Sequence, residues 1–161
     1  MLSEPQFTTR EPQPYAAIRV TAEQGRVGEV AAPLLGEVMG WLQAKGIEPV
    51  GAPFFNYTGM RGQTMDMEVG WPIAKSALGD GRVVTGTLPG GRYVTVRYTG
   101  HYDGLRGAHE ALHEWLAGRG TPAAVAAETG RQTLLEIYET NPDTEPDPST
   151  WVTAIAFKLS D

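Results

Sequence analysis

Two groups of residues in this chain have types and spacings suited to chemistry. The first is Glu136 and Tyr138, in the run Leu134, Leu135, Glu136, Ile137, Tyr138. Residues two apart in a strand face the same way, with Cα atoms roughly 6.5 to 7 Å apart, so a carboxylate and a phenol placed there can converge on one small molecule. One can position or deprotonate water while the other donates to a developing anion, with no demand for a metal. Even without turnover, a carboxylate withdrawn from water and ringed by aromatic faces complements a cation. The second group is His109, Glu110, Ala111, Leu112, His113. This H-E-x-x-H pattern is the spacing by which zinc hydrolases set two imidazoles on one helix face beside a basic glutamate. At 100° per residue, however, His109 and His113 fall at the edge of an apolar stripe, while Glu110 turns toward Glu114 and solvent. The pattern therefore reads as an amphipathic helix with two surface histidines, and a zinc-dependent hydrolase is the remote alternative. No second motif supplies an evident third ligand, Glu128 and Glu136 being no more than candidates, and no metal or other cofactor is expected.

Both groups sit in segments whose patterning gives them a place. The first 14 residues, with three prolines, read as an irregular lead. A strand at 15–21 follows, then a helix through Ala31, Leu34, Leu35, Val38, Trp41 and Leu42 that ends at Lys45 and Gly46, with Pro33 in its first turn. Two strands come next, at 53–58 and 63–71. The order then repeats: a strand at 92–99, a helix at 103–117 capped by Asp103, and strands at 133–140 and 151–159. Residues 119–130 suit a short helical turn, and 141–150 an acidic, proline-locked loop.

The two β-α-β-β units align locally, with Phe54, Phe55, Asn56, Tyr57 matching Leu135, Glu136, Ile137, Tyr138. The fold class is therefore α+β, two pseudo-symmetric units merged into one antiparallel sheet. Both helices are expected on one face, met by Leu135 and Ile137, and a ligand groove on the other, lined by Glu136 and Tyr138 with Phe55 and Tyr57 as their counterparts.

Composition limits the function classes. The 161 residues suit a single domain, 1–161, able to bury a core without staples. A formal charge of −6 offers no positive field for nucleic acid or an anionic membrane. With no cysteine there is neither a disulfide framework nor a thiolate nucleophile. No apolar run is long enough to span a bilayer or act as a signal core, so a cytoplasmic protein, monomer or homodimer, is expected. The chain has no phosphate-binding glycine loop, no G-x-S-x-G elbow, and no room for a helix-turn-helix ahead of Tyr15.

The motifs LPGGRYVTVRYTGHYDGLRGAHEALHEWLAGRG, LLEIYETNP, MDMEVGWPI and TAIAFKL, in that family's order from about Tyr15 to the end, resemble the GyrI-like small-molecule-binding domain. That module is also the effector-binding domain of some AraC-type and MerR-type regulators. The resemblance implies two β-α-β-β units around a pseudo-two-fold and an open groove for lipophilic, frequently cationic molecules. It also implies a buried glutamate in an E-x-Y strand, matched here by Glu136 and Tyr138. Phe55, Tyr57, Glu68, Trp71 and Tyr102 complete the expected ligand-binding set. Some stand-alone relatives are assigned hydrolysis of strained cyclopropane compounds by a Glu and Tyr pair, which makes Glu136 and Tyr138 the catalytic candidates if this chain is an enzyme. Where the family usually reads G-P-Y, this chain has Gly100, His101, Tyr102.

Overall fold

The computed structural model describes residues 1–120 and 131–160. Its strands are β1 (Gln6–Arg10), β2 (Gln13–Glu23), β3 (Phe54–Arg61), β4 (Thr64–Pro72), β5 (Val83–Leu88), β6 (Gly91–Thr99), β7 (Leu134–Tyr138) and β8 (Val152–Lys158), and its helices are α1 (Val27–Lys45) and α2 (Leu105–Arg119). All eight strands form one sheet in the order β1-β6-β8-β7-β3-β4-β2-β5. Every pairing is antiparallel. No described helix is long and apolar enough to cross a membrane.

The strand order displays the repeat. The unit β2-α1-β3-β4 contributes β3-β4-β2 outward from the middle, and β6-α2-β7-β8 contributes β7-β8-β6 in the opposite direction. At the seam Phe55 pairs with Glu136, flanked by Phe54 with Ile137 and Asn56 with Leu135. Phe55 and Glu136 are also equivalent in the sequence alignment, so the pseudo-two-fold passes between them.

The connections force the sheet to curl. Only Glu11 and Pro12 separate β1 from β2, and only Pro89 and Gly90 separate β5 from β6, yet in both cases the joined strands lie near opposite ends of the sheet order. A two-residue link spans less than about 11 Å, so the ends must approach each other. They do: a Cβ added to Gly90 would lie 2.7 Å from Pro12 Cδ, which makes glycine the residue that lets the two links pass.

The curl decides which face carries what. Its inside is filled by Tyr15, Ala17, Phe54, Leu88, Tyr93, Leu135 and Ala156, with Ile137 packed on them. The outside carries the helices. Leu105, Ala108, Leu112 and Leu116 of α2 pack with Val94, Val96, Ile155, Phe157 and Leu134. Val38 and Leu42 of α1 pack with Ala16, Ile18 and Ile73. The expected placement of the groove is corrected here: Leu135 and Ile137 face the inside, and Leu134, Glu136 and Tyr138 share the outer face with the helices. Strand alternation separates two faces but does not say which one the helices cover, and a curled sheet fills its inner face with its own side chains.

Three local expectations change, and one strand is added. Residues 6–10 of the supposed irregular lead form β1, an edge strand paired only with β6, where the flanking Pro5 and Pro12 are tolerated. The β5 strand, VVTGTL, is the second edge and has a glycine interior. Pro33 lies inside α1 rather than in its first turn, on the exposed side, where the Glu29 carbonyl that loses its partner can be solvated. Asp103 does not cap α2. The helix is led in by a 3-10 turn at Tyr102–Gly104, and the His101 ring accepts from the Asp103 N–H through Nδ1 at 3.1 Å. Gly104 is required there, since a Cβ would collide with the Tyr98 hydroxyl. Gly46 closes α1 in the left-handed conformation, as its sequence position implies, at φ 71°. The helical turn expected at 119–130 lies almost wholly outside the described residues.

Candidate functional site

Because α1 and α2 each cover their own half of the sheet, the seam strands β3 and β7 are left between them as the floor of a cleft of about 1170 Å³. Val27, Leu35 and Met39 form the α1 wall, Leu105, His109 and His113 the α2 wall, and Phe55, Tyr57, Leu134, Glu136 and Tyr138 the floor. Trp71 and Tyr102 also line it.

Glu136 lies at the centre of that floor and is only 4% exposed. A buried carboxylate needs donors, and among the described residues three reach it. The hydroxyls of Tyr57 and Tyr138 donate to Oε1 at 2.9 and 2.5 Å. His109 Nε2 lies 2.6 Å from Oε2. Tyr138 is the strand neighbour two residues on, Tyr57 comes from the symmetry-related strand, and His109 reaches down from the helix. Burial, and then the charge of Glu136, hold the Tyr57 and Tyr138 phenols well above their usual pKa, so both remain neutral donors. Tyr102 is raised for the same two reasons in the same order.

Ring faces surround the acid. Phe55 meets Tyr138 edge-on at 4.9 Å, Tyr102 meets Tyr138 at 5.7 Å, and Tyr57 meets His109 at 5.8 Å. Trp151 extends this wall, 4.8 Å from Tyr102 and stacked on His101 at 5.8 Å. The Trp71 indole N–H donates to the Leu35 carbonyl at 3.0 Å, which ties β4 to α1 where the two meet at the cleft. Such a recess can hold a flat apolar molecule, complement a positive charge and pass a proton between acid and phenol.

Of the residues singled out from sequence, Glu136, Tyr138, Phe55, Tyr57, Trp71 and Tyr102 come together here. Glu68 does not. It lies on the inner face, 2% exposed, holding the Tyr15 hydroxyl at 2.8 Å from each oxygen, Asn56 Nδ2 at 3.3 Å, Arg19 Nε at 3.3 Å and Arg131 Nη2 at 3.5 Å. Glu68 directly opposes Asn56, one residue off the Phe55 and Tyr57 face, and that parity sends it inward.

One of the two histidines is the second correction, since His113 is exposed as expected and His109 is not. His109 is not a surface residue; its side chain is 18% exposed and bonded to the central acid. His113 lines the same wall, edge-on to Phe157 at 5.6 Å, and burial together with nearby His109 lowers its pKa from the ordinary 6.5. The signal was their position at the margin of the α2 stripe, because a margin that borders a cleft becomes a wall. Glu110 is at the cleft as well, 3.5 Å from Arg106. Among the described residues no three His, Cys, Asp or Glu side chains are grouped to hold a metal ion. Glu128 lies outside the described residues.

Comparison with known proteins gives the same fold. The EcmrR C-terminal domain superposes with a TM-score of 0.77 at 18% identity, over 98% of each chain. In the EcmrR–DNA complex the TM-score is 0.76, and this chain spans 57% of that longer one. SAV2435, solved bound to tetraphenylphosphonium, matches at 0.68 and 13% identity over 98% of this chain and 94% of its own. A hydrolase from Listeria innocua matches at 0.57 and 12% identity, covering 98% and 92%. Among curated proteins none matches. The family model described as the GyrI-like small molecule binding domain matches residues 3–160, and with that span the chain belongs to the GyrI-like small-molecule-binding domain family.

Proposed function

We propose that the cleft between α1 and α2 binds lipophilic, cationic, aromatic small molecules, with Glu136 as the charge complement and Phe55, Tyr57, Trp71, Tyr102 and Tyr138 as the ring faces. One observation carries this reading: a carboxylate 4% exposed on the floor of a cleft walled by apolar and aromatic side chains. Such a group attracts positive charge more strongly than a solvated one, and ring faces add attraction without imposing one shape. The tetraphenylphosphonium carried by SAV2435 is a ligand of this class. A fluorescent aromatic cation titrated against wild type and Glu136→Gln tests the proposal. Weaker binding to the variant is expected, and equal affinity would remove the carboxylate's charge from the account.

A second reading is metal-independent hydrolysis of strained cyclopropane compounds. The observation in its favour is the Tyr138 hydroxyl 2.5 Å from Glu136, an acid and a phenol already in proton-transfer contact. Ring opening of a cyclopropane-bearing electrophile, followed for wild type, Glu136→Gln and Tyr138→Phe, separates the two. If both variants bind the compound and keep the wild-type rate, the cleft is a receptor only. If both bind and lose turnover, it is an active site.

A further inference from the structure

The donors around Glu136 are unequal in kind. Tyr57 and Tyr138 bring neutral hydroxyls to Oε1 and stay neutral because their pKa values are raised. Among the described donors to Glu136, His109, at Oε2, is the one whose side chain can carry a positive charge. Where Nε2 carries the hydrogen that it gives to the carboxylate oxygen, the proton the ring can lose is the one on Nδ1. With that proton the floor is a neutral ion pair; without it the same hydrogen bond remains and the floor carries a net negative charge.

Resting on the reading of the cleft as a cation site, we propose that His109 sets its charge selectivity: protonated, it is the resident counter-ion of Glu136 and the cleft accepts uncharged lipophiles; deprotonated, it leaves the carboxylate's charge to a cationic ligand. Cation binding then expels the Nδ1 proton to solvent. Cation and proton weaken each other's binding by the same factor, as linkage requires. No bond other than N–H is broken.

Among the described residues, the groups that face His109 are phenols, paired ions and one further histidine. From β3 and β7 it meets Tyr57 and Glu136, and Glu136 in turn holds Tyr138. Tyr102, from the 3-10 turn, is another phenol with a raised pKa. The α1 wall lines the cleft with Val27, Gly28, Ala32, Leu35, Gly36 and Met39, none of which titrates. On α2 itself, Arg106 and Glu110 pair with each other, and burial lowers the pKa of His113 from the ordinary 6.5. Glu139, which also lines the cleft, is held by Arg97 at 2.9 Å, and exposed Asp143 lines it as well.

The test uses two probes of similar shape, tetraphenylphosphonium with fixed charge and triphenylphosphine oxide with none. Titration calorimetry is run at pH 5.5, 6.5 and 7.5 in two buffers of different ionisation enthalpy. The cation's affinity is expected to fall on acidification, by at most tenfold per pH unit, with a buffer-dependent enthalpy that reports proton release increasing as pH falls. The oxide is expected to show neither effect. In His109→Gln, which keeps an N–H donor for Glu136 but cannot titrate, cation affinity becomes independent of pH. A pH-independent affinity in wild type, or an unchanged slope in His109→Gln, overturns the proposal. If that variant does not fold, His109→Asn replaces it in the same titrations. Failure of both probes to bind at any pH overturns the cation-site reading itself, a result distinct from binding without proton release.

Discussion

Replacing Asn56 by alanine should destabilise the protein far more than its neutral polar side chain suggests. Asn56 is 3% exposed and lies on β3 between Phe55 and Tyr57, facing the inside of the curl. Its Nδ2 donates to Glu68 Oε1 at 3.3 Å, and its Oδ1 accepts from the Leu134 N–H at 3.0 Å. Truncation leaves that N–H buried and unsatisfied, at a cost of about 1–3 kcal/mol, and removes one bond to a carboxylate worth about 1.5 kcal/mol at the low end, since Glu68 keeps Tyr15, Arg19 and Arg131. The sum is about 2.5–4.5 kcal/mol, or roughly 5–18 °C in Tm for a chain of this size. Thermal and urea unfolding followed by circular dichroism measure it. Asn56→Asp is the companion variant: it preserves the acceptor for Leu134 but opposes Glu68 with a second carboxylate, so its stability should recover as pH falls toward the carboxylate range. A loss below about 1 kcal/mol in Asn56→Ala would refute the reasoning, because it would mean that neither bond is exchanged for an unsatisfied group. Leu134 is two residues from Glu136, so Asn56→Ala should also weaken binding in the cleft.

Other outcomes follow from the same geometry. Leu112→Ala, at a side chain 1% exposed beneath α2, should cost about 2–5 kcal/mol in urea unfolding. His113 has a lowered pKa in the fold, so the unfolded chain binds more protons around pH 6.5, and stability should rise as pH increases through that region; His113→Phe should reduce the slope in a series of Tm values from pH 5 to 8. In a spectrophotometric titration, Tyr15, Tyr57, Tyr93 with a pKa pushed up to about 12, and Tyr138 should resist ionisation at pH 10.5, and Tyr102 should ionise above the ordinary value of 10. Glu136→Gln should lower the midpoint of Tyr57 and Tyr138, whose second cause of elevation is its charge.

The sequence carried most of the architecture for an identifiable reason. Each unit has a β-rich run, a helix closed by Gly46 or Gly120, and two further strands, and the local alignment of Phe55 with Glu136 marks the axis that the sheet register later places between them. The strands that escaped, β1 and β5, are both edges, and edges are short, polar or broken by glycine because they pair on one side only. The six cleft residues came from alternation and aromatic clustering, together with the family resemblance. Two misplacements share one cause. The outward face of Glu136 and the inward face of Glu68 both depend on the curl, which arises from links between strands at opposite ends of the sheet, a non-local property that no window of residues displays. His109 escaped because helical periodicity places it at a stripe margin, and only the cleft beside α2 makes that margin a wall.

The central claim, that a cationic aromatic molecule is held against Glu136, is tested most directly by a crystal of the protein soaked with tetraphenylarsonium, whose arsenic can be located by anomalous scattering. The account predicts one dominant peak in the cleft between α1 and α2, within roughly 4–7 Å of the Glu136 carboxylate and of at least two of the rings of Phe55, Tyr57, Trp71, Tyr102 and Tyr138. A dominant peak elsewhere on the molecule, or an empty cleft at a concentration that saturates binding in solution, would contradict it.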